Sequence, residues 1–409
     1  MVNQTLQDLE IICVNDGSTD GSVKILRDFA KRDDRIILID KKNAGYGHSV
    51  NLGVRIAQGE YIGIVEPDDF LQLEMLEELY RIASEMQLDV VKADFDIVRG
   101  PVGKRTYSRQ KICKNYDLYH RVINADQEPD IFQASLFTWA GIYRRKFLLE
   151  NGIWHNETPG ASFQDNGFWF QVFVKARSVY FMDKSYYCLR RDNPASSIKN
   201  TEKVYCICEE YDFIRCWLLK EKEERYLPIQ WYWRFKGYLG NLRRIGARYK
   251  DEFLARFQAD FTKGLCAGEL CLEMFGEEQM LLKCVLDGDF AQVYQELFLD
   301  RELLGRLRAW KKIILYGDEE KVRDICKRLD QYHDPAICLA GVALTNNRTN
   351  GVVWNQQIRV LESLAVYAGD AAAWVAVQDD GDKMKQKLQK LGFTQFLALP
   401  DYIKGIENV

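Results

Sequence analysis

Residues Asn43–Asp69 read NAGYGHSVNLGVRIAQGEYIGIVEPDD. A glycine-bearing turn opens into apolar residues at helical spacing. A short apolar strand, Tyr61–Val65, follows at once and stops on Glu66-Pro67-Asp68-Asp69. Working outward, strand-like runs at Leu9–Val14, Arg35–Asp40 and Asp89–Val98 alternate with helical stretches at Gly21–Arg32, His48–Gln58 and Leu73–Met86. This alternation predicts an α/β domain with a largely parallel sheet.

The pattern changes twice further on. From Thr201 to Leu307 the strands vanish and apolar residues recur at helical spacing. At Lys312 strand–helix–strand order returns, in KIILYG, EKVRDICKRLDQY, AICLAGVAL, AAAWVAVQ, DKMKQKLQKLGF and QFLALP. The reading is therefore a first α/β domain over 1–200, a helical region over 201–309 and a small α/β unit over 310–409. The chain has no internal repeat and no low-complexity linker.

At 409 residues, with 47% hydrophobic content, the chain can bury two or three cores. Its 56 basic and 60 acidic residues give a formal charge of −4, so no global field attracts a nucleic-acid backbone, and no nucleic-acid partner is expected. No apolar run approaches a bilayer span, and the start, MVNQTLQDLE, lacks a leader pattern, so the expected compartment is the cytosol. Eleven cysteines, an odd number without a repeated CxxC, point to reduced and mostly buried thiols.

In open α/β sheets ligands bind beyond the carboxyl ends of the strands, so the residues after each strand carry the functional information. After the first strand comes Asn15-Asp16-Gly17-Ser18, with Asp20 placed to cap the next helix. Turn chemistry accounts for Gly17, Ser18 and Asp20, and less well for Asp16. After the second strand, Gly45 and Gly47 permit close backbone approach, while Asn43, His48 and Asn51 supply hydrogen-bonding groups near a helix start. Such a helix start can face phosphate, although a plain turn has the same composition. At the third end three carboxylates crowd around Pro67, an arrangement that calls for a positive partner. Mg²⁺ or Mn²⁺ shared with a phosphate-bearing substrate would serve; helix capping by Asp68 or Asp69 is the competing reading.

Taken in order, VNDGSTDGS and then NAGYGHSVNLGVRIAQGEYIGIVEPDD resemble the GT-A (Rossmann-like) fold of family-2 glycosyltransferases. The segment ASFQDNGFWFQVFVKARSVYFMDKSYYCLRRDNPASSI is similar to that family's acceptor-side signature. The resemblance covers roughly residues 3 to 200. It implies that Asp16 contacts the base or ribose of a nucleotide-sugar, that Glu66 and Asp68 form the D-x-D-type motif with Asp68 on the metal, and that Asp165 is the general base. Arg190 and Arg191 are placed to meet phosphate oxygens, with surface salt bridging as the alternative.

Several positions depart from the family pattern. Glu66 replaces an aspartate, Val50 an arginine, and Gln164 an acid beside Asp165. The family also opens with a further strand and a PxYN-like turn before a helix whose end resembles NQTLQDLE. The expectation is an open slot beside the Leu9–Val14 strand, with weak donor binding and a tendency to aggregate. The C-terminal unit resembles degenerate Rossmann-like domains. Only Gly317 remains of a glycine-rich turn, and Asp318, Glu319 and Glu320 would repel phosphate, so no NAD binding is expected.

The resemblance implies a metal-dependent, inverting glycosyltransferase of surface-polysaccharide type. It would use a nucleotide-sugar donor, a UDP-sugar favoured, and a glycan or lipid-linked acceptor, a role compatible with peripheral association at the inner face of a membrane. The alternatives are a non-catalytic glycosyltransferase-like scaffold and a nucleotidyltransferase; the latter would call for a basic, glycine-rich loop near the start, which is not seen. The stretch YLPIQWYWRFKGYLGNLRRIGARYK carries Arg234, Lys236, Arg243, Arg244, Arg248 and Lys250 among aromatics. It reads as an amphipathic core helix with a solvated basic face in preference to an anion-binding surface.

Overall fold

The computed structural model describes residues 1–101, 103–191, 201–298, 309–310, 312–319, 321–323, 325–326, 338–346, 352–353, 356–376 and 381–398. The segment 192–200, which holds most of the RRDNPASSI motif, and Glu320 lie outside the described residues. By contact the chain divides into two compact units. One comprises Met1–Tyr249 with Gly264–Met274, the other Lys250–Lys263 with Phe275–Val409. The helical stretch is thus shared between them.

The first unit opens as the alternation predicts: β1 (Ile11–Asp16), α1 (Ser22–Ala30), β2 (Ile36–Lys41), α2 (Tyr46–Ile56), β3 (Tyr61–Gly63), β4 (Phe70–Leu71), α3 (Met75–Glu85) and β5 (Val90–Arg99). There follow β6 (Thr106–Gln110), β7 (Val122–Ile123), β8 (Gly141–Arg144), α4 (Arg145–Glu150), α5 (Gln164–Lys175), β9 (Val179–Arg190), α6 (Cys206–Lys220) and α7 (Leu227–Arg244). The sheet is not largely parallel. β1 and β2 form a parallel pair of their own, and the main sheet runs β3-β8-β5-β9-β4, with β6 on β5 and β7 on β9. β8 enters antiparallel between β3 and β5, and only β5 and β9 run parallel within that sheet. A strand from position 141 therefore fills the place that local alternation would give to a sequential neighbour.

Among the described residues β1 pairs only with β2, and β3 only with β8. Ile12, Cys13 and Val14 are accordingly half-buried, whereas a strand enclosed on both faces would hide them. The core lies instead under β5, β8 and β9. Leu79, Leu88, Val91, Ala93, Ile142 and Tyr187 pack there with Trp139, which stacks on Tyr187 at 4.6 Å between ring centroids.

In the helical region α7 buries Trp231, Arg234, Phe235, Tyr238 and Leu242, so its aromatic stripe is core. Arg234 is not on a solvated face. It is buried, pairs with Asp212 at 2.8 Å, donates to the Tyr238 hydroxyl at 2.7 Å and lies over the Trp231 ring. Of the eleven free cysteines five are buried, Cys113, Cys188, Cys208, Cys284 and Cys326, fewer than composition suggested.

The second unit carries α8 (Lys250–Cys266, which the unit boundary crosses), α9 (Gln279–Asp287) and α10 (Phe290–Phe298). Its sheet contains β10 (Ile313–Gly317), β11 (Leu339–Leu344), β12 (Val352–Val353), β13 (Gln356–Arg359), β14 (Ala372–Ala376) and β15 (Phe396–Ala398), with α11 (Gly381–Lys390) before the last strand. The order is β12-β13-β11-β10-β14-β15, parallel except for β12. Gly317 ends the central strand where a Cβ would meet the Ala376 carbonyl oxygen at 2.1 Å, and the Asp318 carboxylate accepts the Thr345 hydroxyl at 2.8 Å.

Candidate active site

Asp16 ends β1 and spends its carboxylate on the chain itself. It accepts the amides of Ala44 at 2.8 Å and Gly45 at 2.9 Å and pairs with Lys41. Burial pushes the carboxyl up, but the Lys41 ammonium and the two amides together hold it below the usual aspartate range. Asp16 therefore fixes the turn that starts α2. Asn43, in that turn, is exposed. Gly17 lies at φ +74°, and a Cβ there would meet the Asn43 amide nitrogen at 2.9 Å.

The close approach that Gly45 and Gly47 permit is to the chain's own 156–160 segment. A Cβ on Gly45 (φ +95°) would meet the Thr158 carbonyl oxygen at 2.8 Å, and one on Gly47 the Asn156 carbonyl oxygen at 2.1 Å. The Tyr46 amide at the helix start already donates to the Gly160 carbonyl at 2.9 Å. Asn51, expected to face the donor, is instead buried and exchanges hydrogen bonds with the His155 backbone at 2.9 Å both ways while reaching Glu157 at 3.0 Å. It pins the segment leading to α5. His48 is half-buried, and its Nδ1 has no hydrogen-bond partner among the described residues.

The three carboxylates after β3 do not converge. Glu66 accepts the Tyr46 hydroxyl at 2.7 Å, and its own amide donates to the Tyr187 hydroxyl at 3.1 Å. Burial, helped by the nearby Asp165, Asp69 and Asp68, pushes its carboxyl up to about 7 against the Tyr46 hydrogen bond. Asp69 accepts the Arg190 amide at 2.7 Å and the Tyr187 hydroxyl at 2.8 Å. Their mutual repulsion is thus relieved by separate donors, and the crowding seen in sequence does not by itself demand a cation. Asp68 lies half-buried between them, with the Arg190 guanidinium on its carbonyl at 3.4 Å.

Among the described residues no three His, Cys, Asp or Glu side chains form a cage that would hold a metal alone. A single carboxylate completed by substrate phosphates and water is still a fit for Mg²⁺, which keeps most of its shell from those sources. Arg191 sits beside Asp68 and Asp69; burial draws its guanidinium down and the two carboxylates oppose that.

Asp165 stands in the first turn of α5, just after Phe163, which is held at φ +62°. Burial pushes its carboxyl up to about 6, against hydrogen bonds from its own turn and the charge of Lys92. The neighbouring Gln164 explains why an amide stands where an acid was expected. Its Nε2 donates to the Thr158 hydroxyl at 2.9 Å and the Gly160 carbonyl at 3.2 Å, and its Oε1 accepts the Ser162 amide at 2.5 Å. A carboxylate cannot make the two donations.

Electrostatically Tyr46 feels both Glu66 and Asp165, so α2 brings the acid after β3 and the acid of α5 to one place. Three participants escaped the sequence reading. Tyr46 was passed over between two glycines. Glu210 of α6 accepts the amides of Gly167 at 2.8 Å and of the Asn156 side chain at 3.1 Å, a link no local pattern announces. Lys92 did leave a signal: it is the one basic residue in the strand DVVKADFDIV.

Comparison with known proteins agrees with this geometry. The model of the family "Glycosyl transferase family 2" matches residues 1–152. The glycosyltransferase EpsJ of Bacillus subtilis is 31% identical over 201 residues, covering 48% of this chain and 56% of EpsJ. The poly(ribitol-phosphate) beta-glucosyltransferase of Bacillus spizizenii is 31% identical over 206 residues, covering 48% of this chain and 30% of that one. The chain thus spans about half the length of the first of these relatives and less of the second. Residues 1–349 of S. aureus TarS, solved in complex with UDP-GlcNAc, superpose with a TM-score of 0.53 at 17% identity, over 70% of this chain and 81% of that one. Residues 1–152 of the chain thus match glycosyl transferase family 2, and the chain shares the GT-A fold of its solved neighbour.

Proposed function

We propose that the protein is an inverting glycosyltransferase that moves a sugar from a nucleotide-sugar, a UDP-sugar favoured, to a hydroxyl of a glycan or lipid-linked acceptor in surface-polymer synthesis. The observation that carries this reading is the meeting of Glu66 and Asp165 around Tyr46 at the ends of the strands, where one wall can receive the donor and the other an acceptor. Transfer requires that the acceptor hydroxyl lose its proton as the anomeric carbon is attacked, and that the leaving diphosphate be stabilised. Asp165, with its carboxyl raised toward the working pH, takes the proton. Asp68 would hold Mg²⁺ or Mn²⁺, which supplies charge stabilisation to the diphosphate when bound. Asp16 shapes the donor turn through the Ala44 and Gly45 amides, Asn43 and His48 remain the groups offered there, and Arg190 and Arg191 flank the phosphate side. The UDP-GlcNAc held by TarS and the polymer named for the Bacillus spizizenii relative support the donor and acceptor classes.

The test joins binding to turnover. UDP should raise the melting temperature more with Mn²⁺ than without, and Asp68→Ala should remove that difference while leaving the apo transition in place. Asp165→Asn should retain donor binding and lose about two to four orders of magnitude in turnover. Metal-independent UDP binding would reject the role of Asp68, and undiminished transfer by Asp165→Asn would reject the base.

A further inference from the structure

Lys92 is a lysine 1% exposed in the middle of β5. Its side chain runs across Gly141 of β8, where an added Cβ would stand 2.7 Å from the lysine's Cδ, so the glycine is what leaves room for it. At the far end Nζ reaches the carbonyl oxygens of Phe137 at 2.6 Å and Trp139 at 2.5 Å and the Tyr143 hydroxyl at 3.2 Å. The Tyr143 proton is committed to the Thr138 carbonyl at 2.6 Å, so its oxygen faces Lys92 as an acceptor. Three acceptors need three N–H groups. An ammonium has three, whereas a neutral amine has two and would turn a lone pair toward an oxygen.

The segment so held is part of the site. The Thr138 hydroxyl lies 3.4 Å from the Tyr46 hydroxyl that serves Glu66. The groups acting on Asp165 from the elements packed around it are Lys92 of β5, Glu66 after β3, Tyr46 of α2, and Glu210 and Tyr211 of α6. Lys92 is the cation among them. Burial draws its pKa down to about 7, and the Asp165 charge opposes this.

We propose that Lys92 is a positioning residue for glycosyl transfer: a buried ammonium that fixes the 137–139 wall of the site and supplies the positive charge that keeps Asp165 ionised as the base. The proposal rests on the reading of Asp165 given above. Lys92 reaches α5 through Tyr143, whose ring meets that of Phe168, one turn from Asp165, at 5.2 Å between centroids. A carboxylate left among acids and phenols without a neighbouring cation binds its proton more tightly, and an opposite charge within about 4–6 Å moves a carboxyl by about one to three pH units.

The experiment is the pH profile of kcat/KM for full-length Lys92→Met, beside the parent and Asp165→Asn. The acidic limb should move up by about one pH unit or more in Lys92→Met. A folded Lys92→Met whose acidic limb coincides with the parent's overturns the proposal, and with Asp165→Asn inactive it does so without touching the base assignment. An active Asp165→Asn overturns both. Because the substitution leaves the Phe137 and Trp139 carbonyls without the ammonium, the parent is also labelled with ¹⁵N-lysine as a measurement that needs no variant. The Lys92 Nζ signal should be a slowly exchanging ammonium at the pH of maximal turnover; a neutral amine there overturns the proposal.

Discussion

At the scale of single residues, each group of the site is held by specific donors and acceptors. Gln164 shows the consequence for substitution. Gln164→Glu, which would restore an acidic pair with Asp165, sets a carboxylate against the Gly160 carbonyl and the Thr158 hydroxyl it now serves. We expect a loss of about 1–3 kcal/mol in urea unfolding, the range for a buried polar group left without its partner, and unchanged stability would contradict the role assigned to the amide. Glu210 makes a prediction in pH. Burial raises its carboxyl from an ordinary 4.5 to about 8, with Asn156 and Gly167 opposing and Asp165 assisting. The folded state therefore holds a proton that the unfolded chain releases between those values. Its contribution to stability is full below about 4.5 and is lost as pH rises through about 8. Glu210→Gln has no such loss, so its melting temperature relative to the parent should climb from pH 4.5 to 8; a constant difference would show that the carboxyl titrates normally.

At the scale of elements, α2 and α5 are joined through the 155–160 segment, and glycines set the spacing. Gly47→Ala would drive a methyl into the Asn156 carbonyl, a backbone atom that cannot step aside alone. Gly21→Ala, just before α1, meets nothing within 4 Å. We expect the first to lower the melting temperature by several degrees and to depress turnover by displacing Asp165, and the second to be near neutral. Similar behaviour of the two would mean that the segment yields easily. The helices and most strands were legible because their apolar periodicity is local. The place of β8 was not, since an antiparallel strand inserted from position 141 leaves no trace in the sequence around β3 or β5. The crowding of Glu66, Asp68 and Asp69 likewise read as a metal cluster because sequence shows charges without their donors. Tyr46 of α2, and Tyr187 and the Arg190 amide of β9, supply those donors from two elements distant in sequence.

At the scale of the whole molecule, the helical region is not a separate layer from the site. Glu210 of α6 holds the Gly167 amide within α5, and the Asn241 side chain of α7 donates to the Val204 carbonyl at 2.8 Å. A chain ending at Thr201 should therefore fail to bind a nucleotide-sugar, while one ending at Met274, the limit of the first compact unit, should bind it as the full chain does. Isothermal titration with UDP and Mn²⁺ checks both, and binding by the shorter form would remove α6 from the argument. The α/β class, the resemblance to family-2 glycosyltransferases and the candidacy of Asp16, Asp68 and Asp165 could be read along the chain, because strand-end motifs lie within a few residues of one another. That Asn51 is a pin, that Gly45 and Gly47 admit the chain's own backbone, and that Lys92 is buried beside the 137–139 wall emerge from the packing. Hydrogen bonds and charge act through space at about 3–6 Å, and folding alone brings residues 50 or 100 positions apart within that range.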